Sequence, residues 1–298
     1  MSLGRARAVG LVGLEGTIVE VEAQVSPGLP SFRIVGLPDA SLGEARERVR
    51  AALQSCGQSL PDRRVTVNLS PASVPKSGAG FDLAIAVAVV ATGTMPGRSL
   101  ARRTVHIAEL GLDGRLHPVR GVLPMVARAV ESGHPRIVVS RGNAAEATLV
   151  PGADVVAASH LAEVMGAYGI ALERAGEVVV AELAPRAARQ EAMGQPDLRD
   201  VVGQPEARFA LEVAAAGGHH MMMVGPPGAG KTMLACRLPS ILPDLTDDDA
   251  VAVTSIHSIA GTFSPAHGLI RRPPFEAPHH PASPAAIIGG GSGVPRPG

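Results

Sequence analysis

A chain of 298 residues is long enough for about two domains with a core each, and 46% hydrophobic against 18% charged residues excludes a disordered polypeptide. Acidic and basic residues balance at 27 each, so no global field draws the protein to nucleic acid or to an anionic membrane, although a local basic surface stays open. The longest apolar run, 83–90, is far short of the ~20 residues that a membrane-spanning helix requires, and the N-terminus carries no continuous apolar signal core.

Taken in chain order, residues 5–35 alternate in the way strands do, with 17–25 placing apolar and polar side chains on opposite faces, a turn at Pro27-Gly28-Leu29-Pro30 and the next strand at 31–35. Ser41 with Glu44 three residues later predicts a capping box opening a helix through Ser55. A strand is expected at 65–69, a loop at 70–80 and a buried helix over 82–92 that Gly93 ends. A strand at 105–110, a turn at Leu112-Asp113-Gly114-Arg115, a helix at 122–131 and a strand at 137–139 follow. A short helix at 143–149, a strand at 155–156 and a helix at 161–168 complete an α/β domain over 1–172. Cys56 and Cys236 lie far apart in no metal-ligand spacing and read as small apolar side chains, consistent with a reducing cytoplasm.

Residues 68–84, centred on Pro75-Lys76-Ser77-Gly78-Ala79, resemble the segment that carries the nucleophile in the Lon protease domain. Residues 109–122, ending Val119-Arg120-Gly121-Val122, resemble the hairpin and helix start that carry its lysine. The resemblance implies the fold of ribosomal protein S5 domain 2 and a Ser–Lys dyad in which an amine of lowered pKa activates a hydroxyl. Aligned on these motifs, Gly80 stands at the serine position and Leu123 at the lysine position. Neither can perform the chemistry, so no peptidase activity and no protease substrate are expected. Lys76 and Ser77 survive nearby out of register and read as residues of a flexible loop.

Residues 173–198 read as a linker: Glu177-Val178-Val179-Val180 adds a possible strand, and Pro185-Arg186-Ala187-Ala188-Arg189-Gln190 is an exposed connector. The second domain covers 199–298. A helix is expected at 206–216, then a strand at 220–224 leading into Gly225-Pro226-Pro227-Gly228-Ala229-Gly230-Lys231-Thr232. This is the P-loop pattern. Its glycines let successive N–H groups converge on phosphate oxygens, Lys231 reaches the β- and γ-phosphates, and the Thr232 hydroxyl joins the Mg²⁺ shell. The helix expected at 233–238 turns its positive end to the same anion. Only Lys76 and Lys231 are lysines, so a chance match is on the order of a few in a thousand.

Thr246-Asp247-Asp248-Asp249 predicts the cap of a helix running to Ile259, not an Mg²⁺-holding acid, because no four-residue apolar strand precedes it. His279 and His280 lack a third ligand at suitable spacing, and His219 and His220 point to opposite faces of an extended chain.

Asp197-Leu198-Arg199-Asp200-Val201-Val202-Gly203-Gln204 resembles the segment of AAA+ ATPases that packs on the adenine base, which implies ATP contacts at Val202 and Gly203. Together with the P-loop, the first domain and the run from Arg271 to Ser292, it resembles the Mg-chelatase-like AAA+ proteins of the ComM/YifB type over essentially all 298 residues. The fold implied is α/β, an S5 domain 2-like domain followed by a P-loop AAA+ domain. No apolar strand ending in an acidic pair follows Thr232, so an incomplete ATPase domain, cut before its Walker B acid, is expected, with no catalytic residue in this chain. For the intact protein the resemblance implies ATP and Mg²⁺ as cofactors, a homo-hexameric ring, a cytoplasmic location and DNA as partner, with branch migration as the activity. The ATPase subunit of magnesium chelatase and a nucleotide-gated, non-catalytic scaffold are the competing expectations. With no Trp, one Tyr and five Phe, stacking platforms for single strands are scarce.

Overall fold

The structure, a computed structural model, describes residues 2–290 apart from positions 38, 59, 61, 174–195, 279, 280, 285, 286 and 288. The strand expected at 177–180, the connector at 185–190 and the His279–His280 pair lie outside the described residues. The first part of the chain runs β1 (Ser2–Val12), β2 (Glu15–Ser26), β3 (Ser31–Val35), α1 (Ala40–Ser55), β4 (Arg64–Ser70), α2 (Asp82–Val90), α3 (Arg98–Arg103) and β5 (Val105–Ile107). It continues with β6 (Glu109–Leu110), β7 (Leu116–His117), α4 (Val122–Glu131), β8 (Arg136–Ser140), α5 (Ala144–Ala147), β9 (Asp154–Ala158) and α6 (Leu161–Ala167).

Seven strands form one sheet in the order β3-β4-β2-β1-β5-β8-β9, and β6 and β7 form a separate hairpin. The β1–β2 and β2–β4 pairs are antiparallel, whereas β3–β4, β1–β5, β5–β8 and β8–β9 are parallel. The sheet is therefore mixed and mostly parallel, covered on both faces as parallel sheets are. Pleat alternation divides the core in two. Ala6, Ala8, Val19 and Val21 face one cluster with α1 and α2, while Val9, Val105 and Ile107 face a second with Val122, Leu123 and Val126 of α4. The α2 helix is apolar all round and buried, as expected. It lies so close to β1 that a Cβ at Gly4 would fall 1.9 Å from the Ala88 carbonyl oxygen.

Most elements expected from the sequence form near their expected bounds, with informative departures. The α1 cap is Asp39, not Ser41: its carboxylate accepts from Leu42 N at 2.7 Å and from Gly78 N at 3.3 Å, tying the helix start to a loop that local pattern does not see. That same loop corrects the flexible-loop reading of Lys76. The Lys76 side chain is fully buried and donates to the Pro71 carbonyl, and its backbone bonds Leu37 O and the Asp39 amide. Burial lowers its pKa below the ordinary lysine value. The expected strand at 105–110 is broken into β5 and β6, and α3 is an element the pattern did not predict.

The second part contains α7 (Pro205–Gly217), α8 (Lys231–Ala235) and α9 (Asp247–Ala260). Residues 220–224 do not form the expected strand: they are extended, with Met222 and Val224 85% exposed. Among the described residues no strand lies beside them, and an isolated strand has no ladder to satisfy its backbone. A small core of Leu198, Val201, Leu211 and Leu234 holds the P-loop region together. By contrast, α9 leaves that region and packs on the first domain. Val251 and Leu269 join the core built around α4, and Ile259 sits against Gly121. Among the described residues no helix is long and apolar enough to cross a membrane.

Candidate nucleotide-binding site

The glycine-rich turn Gly225–Gly230 sits exposed between an extended segment and the first turn of α8, an arrangement its residues impose. Gly228 and Gly230 adopt φ of 79° and 80°, a left-handed conformation that side chains with a Cβ resist. The helix starts at Lys231 rather than Met233 and covers five residues; hydrogen bonds continue the turn to Arg237.

Lys231 folds back over this turn. Its ammonium donates to the carbonyls of Gly225 and Pro226, each at 2.8 Å. Half-exposed, satisfied by two loop carbonyls and, among the described residues, bonded to no carboxylate, the lysine is a cation held in reserve beside the turn. The Thr232 side chain next to it is exposed. Leu234, one turn on, is buried with Leu198, Val201 and Leu211 and so anchors the loop in the small core.

The 197–204 segment is fastened to the same loop. Asp197 caps a 3₁₀ turn at Leu198–Asp200, Leu198 N donates to Ser240 Oγ at 3.0 Å, and Arg237 Nε donates to Asp197 O at 3.1 Å. Val202 is 96% exposed and Gly203 takes φ 78°, so both stand at the surface and neither is used in packing. Gln204 is the residue the sequence reading missed. It adopts φ 52°, unusual for a residue with a Cβ, and its side-chain amide donates to Ala229 O at 3.2 Å. A Cβ at Gly230 would fall 3.0 Å from the Gln204 amide nitrogen, so the glycine also makes room for this bridge. The strained backbone at Gln204 was the one local signal, and it is invisible in sequence.

The expected residues are thus brought together: Gly225, Pro226, Pro227, Gly228, Ala229, Gly230, Lys231 and Thr232 form one largely exposed turn, with Val202 and Gly203 on the adjoining segment, which Gln204 bonds to it. The turn suits a phosphate chain because its glycines leave the backbone open and its lysine is close at hand; Thr232 would contribute a hydroxyl to a divalent cation. The Asp247-Asp248-Asp249 triplet is elsewhere, in the first turn of α9, where Thr246 Oγ1 accepts from Asp249 N at 3.2 Å and Asp247 pairs with Arg271 at 2.8 Å. Its capping role matches the sequence reading. Among the described residues no three His, Cys, Asp or Glu side chains form a metal-holding group.

The dyad positions of the first domain are apolar. A side chain at Gly80 would meet Val119 at 3.9 Å, and Leu123 is completely buried, its N–H donating to Glu146 at 3.0 Å.

A family model described as subunit ChlI of Mg-chelatase matches residues 21–143, and one described as magnesium chelatase, subunit ChlI, matches residues 197–298. An uncharacterized protein of Mycobacterium tuberculosis is 50% identical over 298 residues, covering all of this chain and 58% of the relative. Competence protein ComM of Haemophilus influenzae is 38% identical over 302 residues, covering all of this chain and 58% of ComM. The uncharacterized protein YifB of Escherichia coli is 37% identical over 298 residues, covering all of this chain and 57% of YifB. The chain therefore spans a little over half the length of these relatives.

Proposed function

The chain belongs to the Mg-chelatase-like proteins of the ComM/YifB type, and from that premise we propose that it is the ATP-binding portion of a ring-forming AAA+ motor that acts on DNA in the cytoplasm. The observation that carries the reading is Lys231, its ammonium bound to the carbonyls of its own exposed glycine turn. Exchanging two neutral acceptors for phosphate oxygens gives it charge-assisted partners, a gain on the order of 1–2 kcal/mol per bond. The backbone of Gly228–Gly230 would line the phosphates, the Thr232 hydroxyl would help hold a Mg²⁺, and Val202 and Gly203 would contact the base. A bound ATP–Mg²⁺ supplies the phosphoryl-transfer chemistry; this chain's residues bind and orient it.

The whole-protein activity proposed is branch migration of DNA by a homo-hexamer, the ComM name being that of a competence protein. The first domain is a Lon-like domain without its dyad, spanning 1–172, followed by a linker at 173–198 and the AAA+ part from 199. A magnesium-chelatase ATPase is the second reading, favoured by the wording of both matched family models.

The decisive experiment has two stages. In the first, a fluorescent ATP analogue with Mg²⁺ binds the 298-residue chain, and Lys231→Ala weakens it tenfold or more, about 1.4 kcal/mol. In the second, the longer protein is offered forked and four-way DNA with ATP. Motion of the branch that stops in Lys231→Ala supports the proposal; a protein that binds no DNA but drives Mg²⁺ insertion into a porphyrin sinks it in favour of the second reading.

A further inference from the structure

At the edge of the first domain, remote in sequence from the P-loop, lies a cleft of about 400 Å³ between β3, α1 and the start of β4. Four arginines line it: Arg33 on β3, Arg46 and Arg50 one turn apart on α1, and Arg63 just before β4. Glu47 and Asp62 are its acids. Arg46 is bound to Glu47 at 2.7 Å. Among the described residues, Arg33, Arg50 and Arg63 form no ion pair and no side-chain hydrogen bond, and all three are exposed. Phe32 and Leu60 supply an apolar wall and pack inward on the main core.

This grouping is not what the fold needs. The sheet and α1 are held by Val65, Val67, Val49 and Leu53, all buried, and no arginine of the cleft contributes to that core. Three unpaired guanidinium groups around one concavity repel one another, a cost relieved when an anion enters. In a chain whose charges balance overall, this is local electropositive surface of the kind left open by the composition. Guanidinium forks match phosphate oxygens two by two, as they do carboxylates, and the apolar wall of Phe32 and Leu60 beside them favours a phosphodiester with its sugars and bases over a purely acidic chain. The concavity of the cleft and its single aromatic wall suit one strand, laid along the phosphates with a sugar or base against Phe32.

We infer that the β3–α1 cleft is a binding site for single-stranded nucleic acid, with Arg33, Arg50 and Arg63 as its phosphate contacts. It rests on the reading of the protein as a DNA motor and adds to it a strand-holding surface on the first domain, separate from the nucleotide site. The sheet edge matters to this role: β3 is the outermost strand, so a bound strand runs along the rim of the sheet.

The test is fluorescence anisotropy of a labelled oligothymidylate with the 298-residue chain, titrated with salt. The combined Arg33→Glu, Arg50→Glu and Arg63→Glu variant is expected to weaken binding tenfold or more, and the milder Gln triplet to lower the salt slope by roughly 2, from about 0.7 per single-strand phosphate contact. Unchanged circular dichroism and unchanged binding of the ATP analogue would show that both variants fold. Equal affinity of variant and parent, binding of a duplex hairpin as tight as the single strand, or displacement of the oligonucleotide by an acidic peptide at equal charge overturns the inference. So does a chain that binds no oligonucleotide while the longer protein does, and that result leaves the motor reading standing. A longer protein that binds no DNA of any form removes the motor reading itself.

Discussion

Lys231 and Gln204 show how one loop is prepared from two distant stretches. The P-loop was legible because its determinants are contiguous: glycines, lysine and hydroxyl fall within eight residues, and turn geometry is local. Gln204 was not, because its partner Ala229 is 25 positions away and the bond depends on the backbone at φ 52°. Removing that bridge in Gln204→Ala is expected to cost about 1 kcal/mol of loop order and so to weaken ATP-analogue binding roughly fivefold, read by anisotropy. Lys76 failed in the opposite sense. A lone lysine among Gly, Pro and Ser reads as a mobile loop, yet backbone pairing with 37–39 draws its side chain fully inside.

His106 belongs to the same scale. It is fully buried, bonded to Tyr168 Oη at 2.7 Å and to Arg7 O at 3.3 Å, and burial lowers its pKa from 6.5 to about 4. Between those values the unfolded chain holds more protons than the folded one. Stability contributed by neutral His106 is thus complete above 6.5 and is lost as pH falls towards 4, by roughly 3 kcal/mol. Asp82 and Glu146, whose carboxyl pKa values burial raises, act with the opposite sign in the acid range. The prediction therefore concerns the difference between parent and His106→Gln: urea midpoints recorded from pH 7 to 4 should fall more steeply for the parent.

At the scale of elements, periodicity located α2, α4 and α9, since each carries a contiguous pattern. Two things were beyond it. The 220–224 segment has the composition of a strand but, among the described residues, no strand beside it, and sheet formation is a property of pairs. The destination of α9 was equally hidden, because the helix follows the P-loop in sequence but packs on α4. Its contact is fastened by Glu146, which is largely buried and accepts from both Leu123 N and Ser258 Oγ. Glu146→Ala strands two buried donors and is expected to destabilise by about 1–3 kcal/mol, with Glu146→Gln milder because it keeps an acceptor. Urea denaturation separates them; an Ala variant no weaker than Gln would mean that solvent replaces the carboxylate.

For the molecule as a whole, the α/β class followed from the alternation of strand and helix patterns, but the sheet order, the two-sided core and the relation of the two parts did not. The P-loop region has its own small core, yet the chain leaves the first domain before it and returns to that domain after it through α9. The nucleotide module is thus a closed excursion, tethered at both ends to one body. Between Ile241, the last residue packed on the small core, and Thr246, the cap of α9, lie only residues 242–245, and the five steps from Ile241 to Thr246 stretch to at most ~17 Å. A displacement of the P-loop on the nucleotide binding proposed above would be limited by that short leash. Beyond that length it would pull on α9, and through α9 on the α4 side of the sheet.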